Sequence, residues 1–556
     1  MVARALVVLR QAVPIGILCL LLLCCGIGHA AAQGNPCAYQ PIDPAKYGMQ
    51  PFVDAPVLRA GVDKMELNVQ YTNGTKIADC PVRLRSYNGA LVGPTLRAKP
   101  GDTLDITVTN KLGTGPIQPV DCSRGEAEAG GMHMMAGPEV YDITNLHTHG
   151  LHVSPSGCQD NVFLEIRPNQ AIHYQIKIPD NQPPGTFWYH AHLHGSTAVQ
   201  VSSGMEGAIV IDGGLDQVPA IKDAQQHVFL LQQISYNEQG EIPSLPLPNW
   251  ALSKRAITVN GQIAPVIEMQ PGAIQRWRFI HGGVRETISL YVEGPNKLRP
   301  PLYEIATDGL ALGRLDKWQA LELEPGYRSD VLFQAPILQE GRYYLYSGAI
   351  PAQKTLEFLD RGIGVKATAN AVGEDRQIIA VIDVKGQPVF SKLPTDAELA
   401  PYAPYKLITD SELTGAPQSV TLQVASRDCS DTSKPCQPCP PGKVCKTSFL
   451  VDDYQYPHIP LRRLQLNKAS QWTLASVGTQ EHPFHIHVNA FQLTRRGPNG
   501  ADEIVWKDTL MVHGDAPVKY RTIRSRYEDY TGKFVLHCHI LPHEDEGMMQ
   551  AVEITP

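Results

Sequence analysis

One short segment near the C-terminus combines the side chains of two different copper chemistries. The segment reads FVLHCHILPHEDEGM. Its Cys538, His543 and Met548 match the donors of a blue-copper electron-transfer site, which uses one thiolate, two imidazoles and a weak axial thioether. His537 and His539 flank the cysteine, and alternate side chains of an extended segment share a face. We therefore expect both imidazoles to point away from the Cys538 side, toward a second metal site joined to the first by a short covalent route.

Three further histidine clusters occur in the chain, in the segments LHTHG, WYHAH and HPFHIH. Their histidines are His147, His149, His190, His192, His482, His485 and His487. A single His-x-His pair is weak evidence for a metal site, but four clusters with ten histidines and one cysteine are poorly explained as unrelated buried or surface histidines. In this order, the four motifs resemble those of the multicopper oxidases. The resemblance covers almost the whole mature chain, from about Pro51 to Pro556.

The resemblance implies four copper ions per chain: one of type 1, one of type 2 and two of type 3. By this resemblance, the type 1 ion is held by His482, Cys538 and His543, with Met548 as axial ligand. The type 2 ion is held by His147 and His485. The type 3 pair is held by His149, His190, His192, His487, His537 and His539. These ligands use ten of the nineteen histidines. Of the others, His152 and His194 lie beside motifs, and we interpret both as supporting or surface residues.

The same resemblance implies a copper-dependent oxidoreductase that passes electrons from a donor to dioxygen and reduces it to water. His482 and His543 are equal candidates for the point where electrons enter. Dioxygen reduction consumes protons, which acidic residues beside the copper ions are expected to deliver. Glu544 directly follows His543, and related oxidases use an acid at this position. Asp160 lies shortly after the first cluster, at a spacing about two residues different from the family's, so a solvated loop carboxylate is its alternative reading.

The leading functional hypothesis is a laccase-like oxidase. An axial methionine gives a lower potential than an apolar residue would, which favours easily oxidised donors such as phenols and aromatic amines. A metallo-oxidase acting on Cu(I) or Fe(II) is the alternative within enzymes. The Met132–Met135 tract has three methionines in four residues, and thioethers select Cu(I), although an apolar loop is the preferred interpretation. A non-catalytic copper-binding protein of the same fold is disfavoured because every ligand position is filled.

Length and charge set the broad class. The 556 residues suffice for three or four domains. Residues 1–32 predict a signal peptide, with Arg4 and Arg10 before an apolar run and three alanines at its end. We expect an exported monomer, periplasmic or secreted, with no membrane span after cleavage. Loss of the two arginines takes the net charge from −7 to −9, which gives no reason to expect nucleic acid or anionic membranes as partners.

Cysteine usage agrees with export. Beyond Cys538 and three cysteines of the signal segment, eight remain, and an even number in an exported chain predicts disulfides. Four of the eight lie in the insertion 427–446. Two disulfides are favoured there over a zinc-like site built from four thiolates, and the pairing cannot be read from the sequence.

Short alternating strands separated by glycine, proline, asparagine and aspartate predict an all-β protein. With the resemblance, this predicts three consecutive cupredoxin-like Greek-key β-sandwich domains, at 33–215, 216–395 and 396–556. Linkers are expected near residues 213–222 and 385–405.

An internal repeat supports three units. Asn88-Gly89 and Asn260-Gly261 begin similar segments, and a degenerate third copy begins near Asp452. The ligands fall half in the first unit and half in the third, so type 2 and type 3 copper should lie between these units. The middle unit would be a spacer that also shapes the substrate entrance.

Overall fold

The computed structural model describes residues 35–38, 46, 50–122, 140–242, 256–348, 376–514 and 519–556. The predicted signal peptide and the Met132–Met135 tract lie outside the described residues. Strands dominate the described chain, which confirms the all-β prediction. Within these residues, no helix has the length and apolar character needed to cross a membrane.

The first β-sandwich consists of two five-stranded sheets and a small hairpin. Its elements are β1 (Val57–Arg59), β2 (Met65–Tyr71), β3 (Lys76–Ile77), β4 (Cys80–Pro81), β5 (Arg85–Tyr87), β6 (Thr95–Ala98), β7 (Thr103–Asn110), β8 (Gln118–Pro119), β9 (His147–His149), β10 (Gln170–Lys177), β11 (Gly185–His190), α1 (Thr197–Val201) and β12 (Glu206–Ile211). The sheet orders are β1-β6-β12-β11-β9 and β5-β2-β7-β10-β8. Alternation produces the core: in β7, the buried Leu104, Ile106 and Val108 face Phe187 of the other sheet.

The middle β-sandwich has a six-stranded and a five-stranded sheet. Its elements are α2 (Pro219–Lys222), β13 (Gln225–Gln232), β14 (Thr258–Val259), β15 (Val266–Met269), β16 (Ile274–His281), β17 (Ile288–Glu293), β18 (Leu302–Thr307), β19 (Leu310–Trp318), β20 (Leu321–Leu323), β21 (Arg328–Gln334), β22 (Gly341–Ser347), β23 (Gln377–Val384) and α3 (Asp396–Leu399). The sheet orders are β14-β13-β16-β21-β18-β19 and β15-β23-β22-β17-β20. The short helices α2 and α3 lie where the sequence predicts linkers.

The third β-sandwich carries a seven-stranded and a five-stranded sheet. Its elements are β24 (Gln418–Asp428), β25 (Gln437–Pro438), β26 (Thr447–Val451), β27 (Arg462–Gln465), β28 (Lys468–Val477), β29 (His482–Ile486), β30 (Phe491–Arg496), β31 (Asp502–Lys507), β32 (Thr509–Val512), β33 (Arg521–Tyr527), β34 (Gly532–Cys538), α4 (Leu541–Asp545) and β35 (Met549–Thr555). The sheet orders are β25-β24-β28-β33-β30-β31, with β26 beside β24, and β27-β35-β34-β29-β32. The domain boundaries at 215 and 395 stay a prediction.

The predicted internal repeat is a repeated turn. Each copy of the repeat has two consecutive positive φ angles at its turn: Asn88–Gly89, Asn260–Gly261 and Asp452–Asp453. Two positive φ angles define the type I′ turn that joins tightly twisted strands. The side-chain oxygen of the first turn residue accepts a hydrogen bond from one backbone N–H in each copy, those of Asn68, Leu230 and Thr421. The third copy therefore keeps the turn although it has aspartate where the others have glycine.

Four disulfides confirm the cysteine prediction. They join Cys37 to Cys80, Cys122 to Cys158, Cys429 to Cys436 and Cys439 to Cys445. The insertion 427–446 is thus closed by two disulfides, as the sequence favours, and not by a four-thiolate metal site. Within the described chain, Cys538 is the free cysteine, and it is buried.

Candidate metal centre

The Cys538 site consists of His482, Cys538, His543 and Met548. Strand β29 begins at His482 and pairs with β34, which ends at Cys538, while α4 carries His543. The Cys538 Sγ lies 3.5 Å from Nδ1 of His482 and 3.8 Å from Nδ1 of His543, and the two nitrogens are 3.3 Å apart. These three atoms are close enough to share one metal ion.

Burial sets the chemical state of this site. Cys538 and Met548 are fully buried in the same core, and the backbone N–H of Cys538 donates to the carbonyl of Met548 at 3.1 Å. Burial raises the pKa of the Cys538 thiol well above its ordinary value, and burial lowers the pKa of His482 to about 4. A neutral imidazole is a ready ligand, whereas the thiol becomes one only when a bound cation displaces its proton.

The two candidate histidines for electron admission differ in exposure. His482 is fully buried, whereas His543 is half-buried and packs its ring against Phe449, with 4.9 Å between centroids. The structure therefore distinguishes two residues that the sequence could not rank, and His543 is the one that meets solvent.

The second site is a cluster of eight buried histidines, called here the histidine cluster. Its members are His147, His149, His190, His192, His485, His487, His537 and His539. Four come from the first sandwich and four from the third. Within each sandwich, strand register brings them together, because His190 pairs with His147 across β11 and β9, and His537 pairs with His485 across β34 and β29.

Imidazoles from the two outer sandwiches stack on one another. The rings of His147 and His487 have centroids 3.7 Å apart, and those of His149 and His485 are 3.8 Å apart, each pair within 10° of parallel. His192 Nε2 also lies 3.1 Å from Nε2 of His537. The cluster is therefore divided evenly across the boundary between the first and third sandwiches, as the sequence predicts.

The ring nitrogens fit a set of metal ligands. Several buried ones have no hydrogen-bond partner in the protein, namely Nε2 of His147, His190 and His485, Nδ1 of His539 and both nitrogens of His487. Unpartnered buried nitrogens are costly unless something else occupies them. Burial, together with repulsion between neighbouring imidazoles, holds the pKa of His147 and His487 well below the ordinary value. Neutral lone pairs that converge in this way are the donor set of a multinuclear metal site.

The outward nitrogens are held by protein oxygens, which fixes the orientation of each ring. His190 Nδ1 donates to the carbonyl of Ala191 at 2.9 Å, and His485 Nδ1 donates to the carbonyl of Asp508 at 2.8 Å. These bonds leave Nε2 of both rings facing the cluster.

Asp160 lies against the first-sandwich half of the cluster. Both of its carboxylate oxygens are 3.1 Å from Nδ1 of His147, and one accepts the backbone N–H of Thr148 at 2.7 Å. Burial raises the pKa of Asp160 to about 7, opposed by the Thr148 hydrogen bond. The side chain is 1% exposed, so its alternative reading as a solvated loop carboxylate is wrong.

Glu544, on α4, is fully buried against other histidines of the cluster. Its oxygens are 3.4 Å from Nδ1 of His192 and 3.2 Å from Nδ1 of His537. Burial, together with the adjacent Asp545, raises the pKa of Glu544 well above its ordinary value. Asp545 is itself held by backbone N–H groups of Gly195, Thr197 and Ala198, before and within α1. Glu544 is therefore a buried acid with a raised pKa that contacts a histidine from each outer sandwich.

Sequence reasoning missed Asp508, which contacts the cluster. Asp508, between β31 and β32, has an oxygen 3.0 Å from Nε2 of His149. It belongs to no histidine motif. A signal was nevertheless present, because Lys507 and Asp508 interrupt the apolar run from Ile504 to Val512, and charges buried in such a run need partners.

The histidines beside the motifs have supporting roles, as the sequence predicts. His152 has Nδ1 2.9 Å from the carbonyl of Val488 and Nε2 3.0 Å from Asp529, so it joins the first sandwich to the third. His194 packs against Tyr456, with ring centroids 4.9 Å apart.

The fold and the two donor sets together define a protein built to hold several metal ions between β-sandwiches. Two segments match family models described as multicopper oxidase, at residues 437–556 and 139–215. The chain is 24% identical over 512 residues to a laccase from Bacillus stratosphericus, covering 85% of this chain and 91% of that protein. It is 23% identical over 485 residues to the cell division protein FtsP of Proteus mirabilis, covering 84% and 85%.

Solved structures give the same fold. A multicopper oxidase from Campylobacter jejuni, titled a metallo-oxidase, superimposes with a TM-score of 0.66 at 22% identity, covering 93% of this chain and 97% of that one. With the family matches, the chain contains multicopper oxidase domains over residues 139–215 and 437–556, and it is similar to laccases and multicopper oxidases over most of its length. Multicopper oxidases are copper-dependent oxidoreductases that use dioxygen and reducing substrates.

Proposed function

We propose that this protein oxidises small electron-rich donors, phenols and aromatic amines, one electron at a time, and couples this to the four-electron reduction of dioxygen to water. One observation carries the proposal. Cys538 belongs to one donor set, and the residues on either side of it, His537 and His539, belong to the other. A single stretch of backbone therefore connects the site suited to electron transfer with the site suited to several metal ions.

The proposed ligands follow the sequence prediction. One type 1 copper would be held by His482, Cys538 and His543, together with Met548, and the histidine cluster would hold one type 2 and two type 3 ions. Copper, when bound, supplies one-electron transfer at the Cys538 site and multi-electron reduction of dioxygen at the cluster. The donor sets are suited to more than one ion in the cluster, because atoms of His147, His149 and His190 converge, and so do those of His192, His487 and His537.

The protein's own part in the reaction is to orient ligands, exclude water and hold protons. Glu544 contacts His192 and His537, Asp160 contacts His147, and burial raises the pKa of both carboxyl groups, which favours the protonated form of each. We propose that Glu544 donates protons during dioxygen reduction and that Asp160 does the same beside His147. Each must then be recharged from solvent, since a single proton per acid does not suffice for four.

The donor is proposed to contact His543 at the surface. Its half-buried ring lies beside Phe449. Burial, His482 and the positive charge of Arg285 from the middle sandwich lower the pKa of His543. The middle sandwich therefore borders the place where a donor would dock. An aromatic donor has an apolar ring to pack against here, which favours phenols and aromatic amines.

A metallo-oxidase acting on Cu(I) or Fe(II) is the second candidate function. It is favoured by the likeness to the Campylobacter jejuni protein, which is described as a metallo-oxidase. The Met132–Met135 tract is the feature of this chain that would serve Cu(I). We further propose that the mature protein is exported, because four disulfides persist best in an oxidising compartment.

The deciding experiment is a donor panel on copper-loaded protein. A substituted phenol, an aromatic amine, Cu(I) and Fe(II) are compared for turnover, with oxygen uptake and peroxide measured together. The laccase-like proposal expects higher kcat/KM on the phenol, four electrons per dioxygen and no peroxide. The same panel on a variant lacking residues 132–135 is the control, and a loss confined to Cu(I) would favour the metallo-oxidase. Protein that holds copper at both sites but oxidises no donor would support the non-catalytic alternative.

A further inference from the structure

The middle sandwich supplies none of the eight histidines, yet one of its arginines reaches the histidine cluster. Arg328 begins β21, and its side chain is fully buried. Its Nη1 donates to Oδ1 of Asp508 at 2.8 Å, and its Nη2 donates to Oδ2 of the same carboxylate. Two parallel donors on one carboxylate fix geometry as well as charge, which a lysine would not do. This pair joins the middle and third sandwiches at one fixed geometry.

Asp508, held by Arg328, accepts hydrogen bonds from histidines of both outer sandwiches. His149 Nε2, from the first sandwich, donates to Oδ1 of Asp508 at 3.0 Å, while His485 Nδ1, from the third, donates to its backbone carbonyl at 2.8 Å. The Thr509 hydroxyl lies 3.3 Å from the first nitrogen and 3.1 Å from the second. With these nitrogens occupied, His149 presents Nδ1 to the cluster and His485 presents Nε2.

Arg328 is itself anchored, so it is a fixed reference for Asp508. Its Nη2 donates to the carbonyl of Asp308 at 2.8 Å, and its Nε donates to the carbonyl of Thr186 in the first sandwich at 3.4 Å. The carboxylate of Asp308 lies 3.0 Å from Nζ of Lys507. Two buried cations and two buried anions therefore balance, which buried charges require.

Gly150 shows how closely the arginine approaches the cluster. This glycine follows His149 and has a φ of +89°. A Cβ atom placed on it would lie 2.3 Å from Nη2 of Arg328 and 2.7 Å from Oδ2 of Asp508. No side chain fits between the guanidinium and the backbone of the ligand strand. The absence of a side chain at Gly150 is thus part of the same arrangement.

We propose that Arg328 is a positioning residue for the histidine cluster. Acting through Asp508, it fixes the orientation of His149 and His485, so that metal retention between the outer sandwiches depends on the middle sandwich. The inference rests on the proposed occupancy of the cluster by copper. It assigns a task at the metal centre to a part of the chain that the sequence predicts to be a spacer.

The test compares two arginines at the boundary between the middle and third sandwiches. Arg328→Gln removes the contact with the cluster. Arg495→Gln is the matched control, because Arg495 is also buried (9% exposed) and pairs across this boundary with Glu304 and Asp316, but the contacts it makes lie away from the histidines. Copper-loaded variants are measured for copper content, the type 2 EPR signal, the blue absorption of the Cys538 site, the rate of copper loss to a chelator, and thermal unfolding.

The proposal expects Arg328→Gln to lose cluster copper about tenfold faster than the parent and to show an altered type 2 EPR signal, while the blue absorption is retained. Arg495→Gln should unfold at a lower temperature with parental copper loss and a parental EPR signal. Equal rates of copper loss in the two variants, or a parental EPR signal in Arg328→Gln, would overturn the proposal, since the arginine would then be structural only.

A second variant covers the case in which Arg328→Gln does not fold. Arg328→Lys keeps the buried positive charge and loses the two-pronged contact, so faster copper loss than in the parent is still expected. A parental rate in Arg328→Lys, with Arg328→Gln unfolded, would reduce the role of Arg328 to charge balance and overturn the positioning role. A parent protein that itself binds no copper at the cluster would instead refute the proposed function.

Discussion

The Cys538 site and the histidine cluster share strand β34 but are assembled in different ways. Every member of the Cys538 site comes from the third sandwich, on β29, β34, α4 and the residue before β35. The histidine cluster takes half of its members from the first sandwich and is held in place by Asp508 and, through it, by Arg328. One site thus depends on the folding of one sandwich, and the other depends on the docking of three.

The difference shows how the two sites respond to disturbance. Loosening the contact between sandwiches should disable the cluster first, because its stacked imidazoles belong to different sandwiches. The Cys538 site should survive such loosening, since its own core encloses it. Changes at each site, and at the residues between them, therefore test whether the two assemblies are independent.

The largest effect is expected from Cys538→Ser. The change removes the thiolate without enlarging the side chain, so the blue absorption and donor oxidation should both be abolished while the cluster keeps its copper. Absorption spectroscopy, copper analysis and oxygen uptake measure these three properties. Loss of cluster copper together with the colour would show that the two sites do not form independently.

Glu544→Gln is expected to slow dioxygen reduction by about a hundredfold, the scale of a lost proton donor. Glutamine keeps the volume and the contact with Thr197 but carries no acidic proton. Reduction of the Cys538 site by a donor under anaerobic conditions should proceed at the parental rate. Stopped-flow reoxidation measures the rate of dioxygen reduction, and anaerobic mixing with a donor measures the rate of reduction of the Cys538 site. Equal turnover in variant and parent would remove Glu544 from the proposed mechanism.

Removal of copper is expected to weaken the closure of the first sandwich on the third. Ligands bound by the folded state alone stabilise it by about 2.7 kcal/mol at a hundredfold excess over Kd. Calorimetry of apo and copper-loaded protein should therefore show a lower Tm for the apo form. Copper-loaded Cys538→Ser serves as the control, because it should retain most of the stabilisation if the cluster provides it. Identical melting of apo and loaded protein would contradict the prediction.

The smallest expected effect is a difference between the two sites in how their copper affinity depends on pH. Burial raises the pKa of the Cys538 thiol, so at neutral pH copper binding must release its proton, and affinity should rise about tenfold per pH unit. Burial and mutual repulsion lower the pKa of the cluster imidazoles of His147 and His487, which are already neutral there, so these rings release no proton. Competition titrations with a chelator between pH 6 and pH 8 in roughly unit steps measure both slopes. A flat pH response at the Cys538 site would contradict the assignment of a buried thiol.

Much of this arrangement could be predicted from the sequence because it is locally encoded. His147 and His149 stand two residues apart in a strand, so they share a face, and the same holds for His537 and His539. The repeated turn needs residues that tolerate positive φ, which Asn88 and Gly89 supply. Eight cysteines predicted disulfides by their even number, but their pairing depends on loop positions that the sequence does not specify.

Other features arise only when the sandwiches dock. Arg328 and Asp508 are 180 positions apart and belong to different sandwiches. Neither residue belongs to a sequence motif, and the role of each depends on its contact with the other. The role of the middle unit as a spacer that also shapes the substrate entrance stays a prediction, and the proposed role of Arg328 adds to it one side chain that crosses a boundary.

His543 is the one proposed ligand that is not fully buried. A reductant need not be enclosed by the protein to give up an electron, because contact with the exposed edge of the His543 imidazole is sufficient. Selection by shape would therefore be weak, and molecules too bulky for any cleft, such as polymers or particles, would differ from a simple phenol mainly in how readily they are oxidised. The breadth of substrates would then be set by redox potential and surface charge, with fit playing the lesser part.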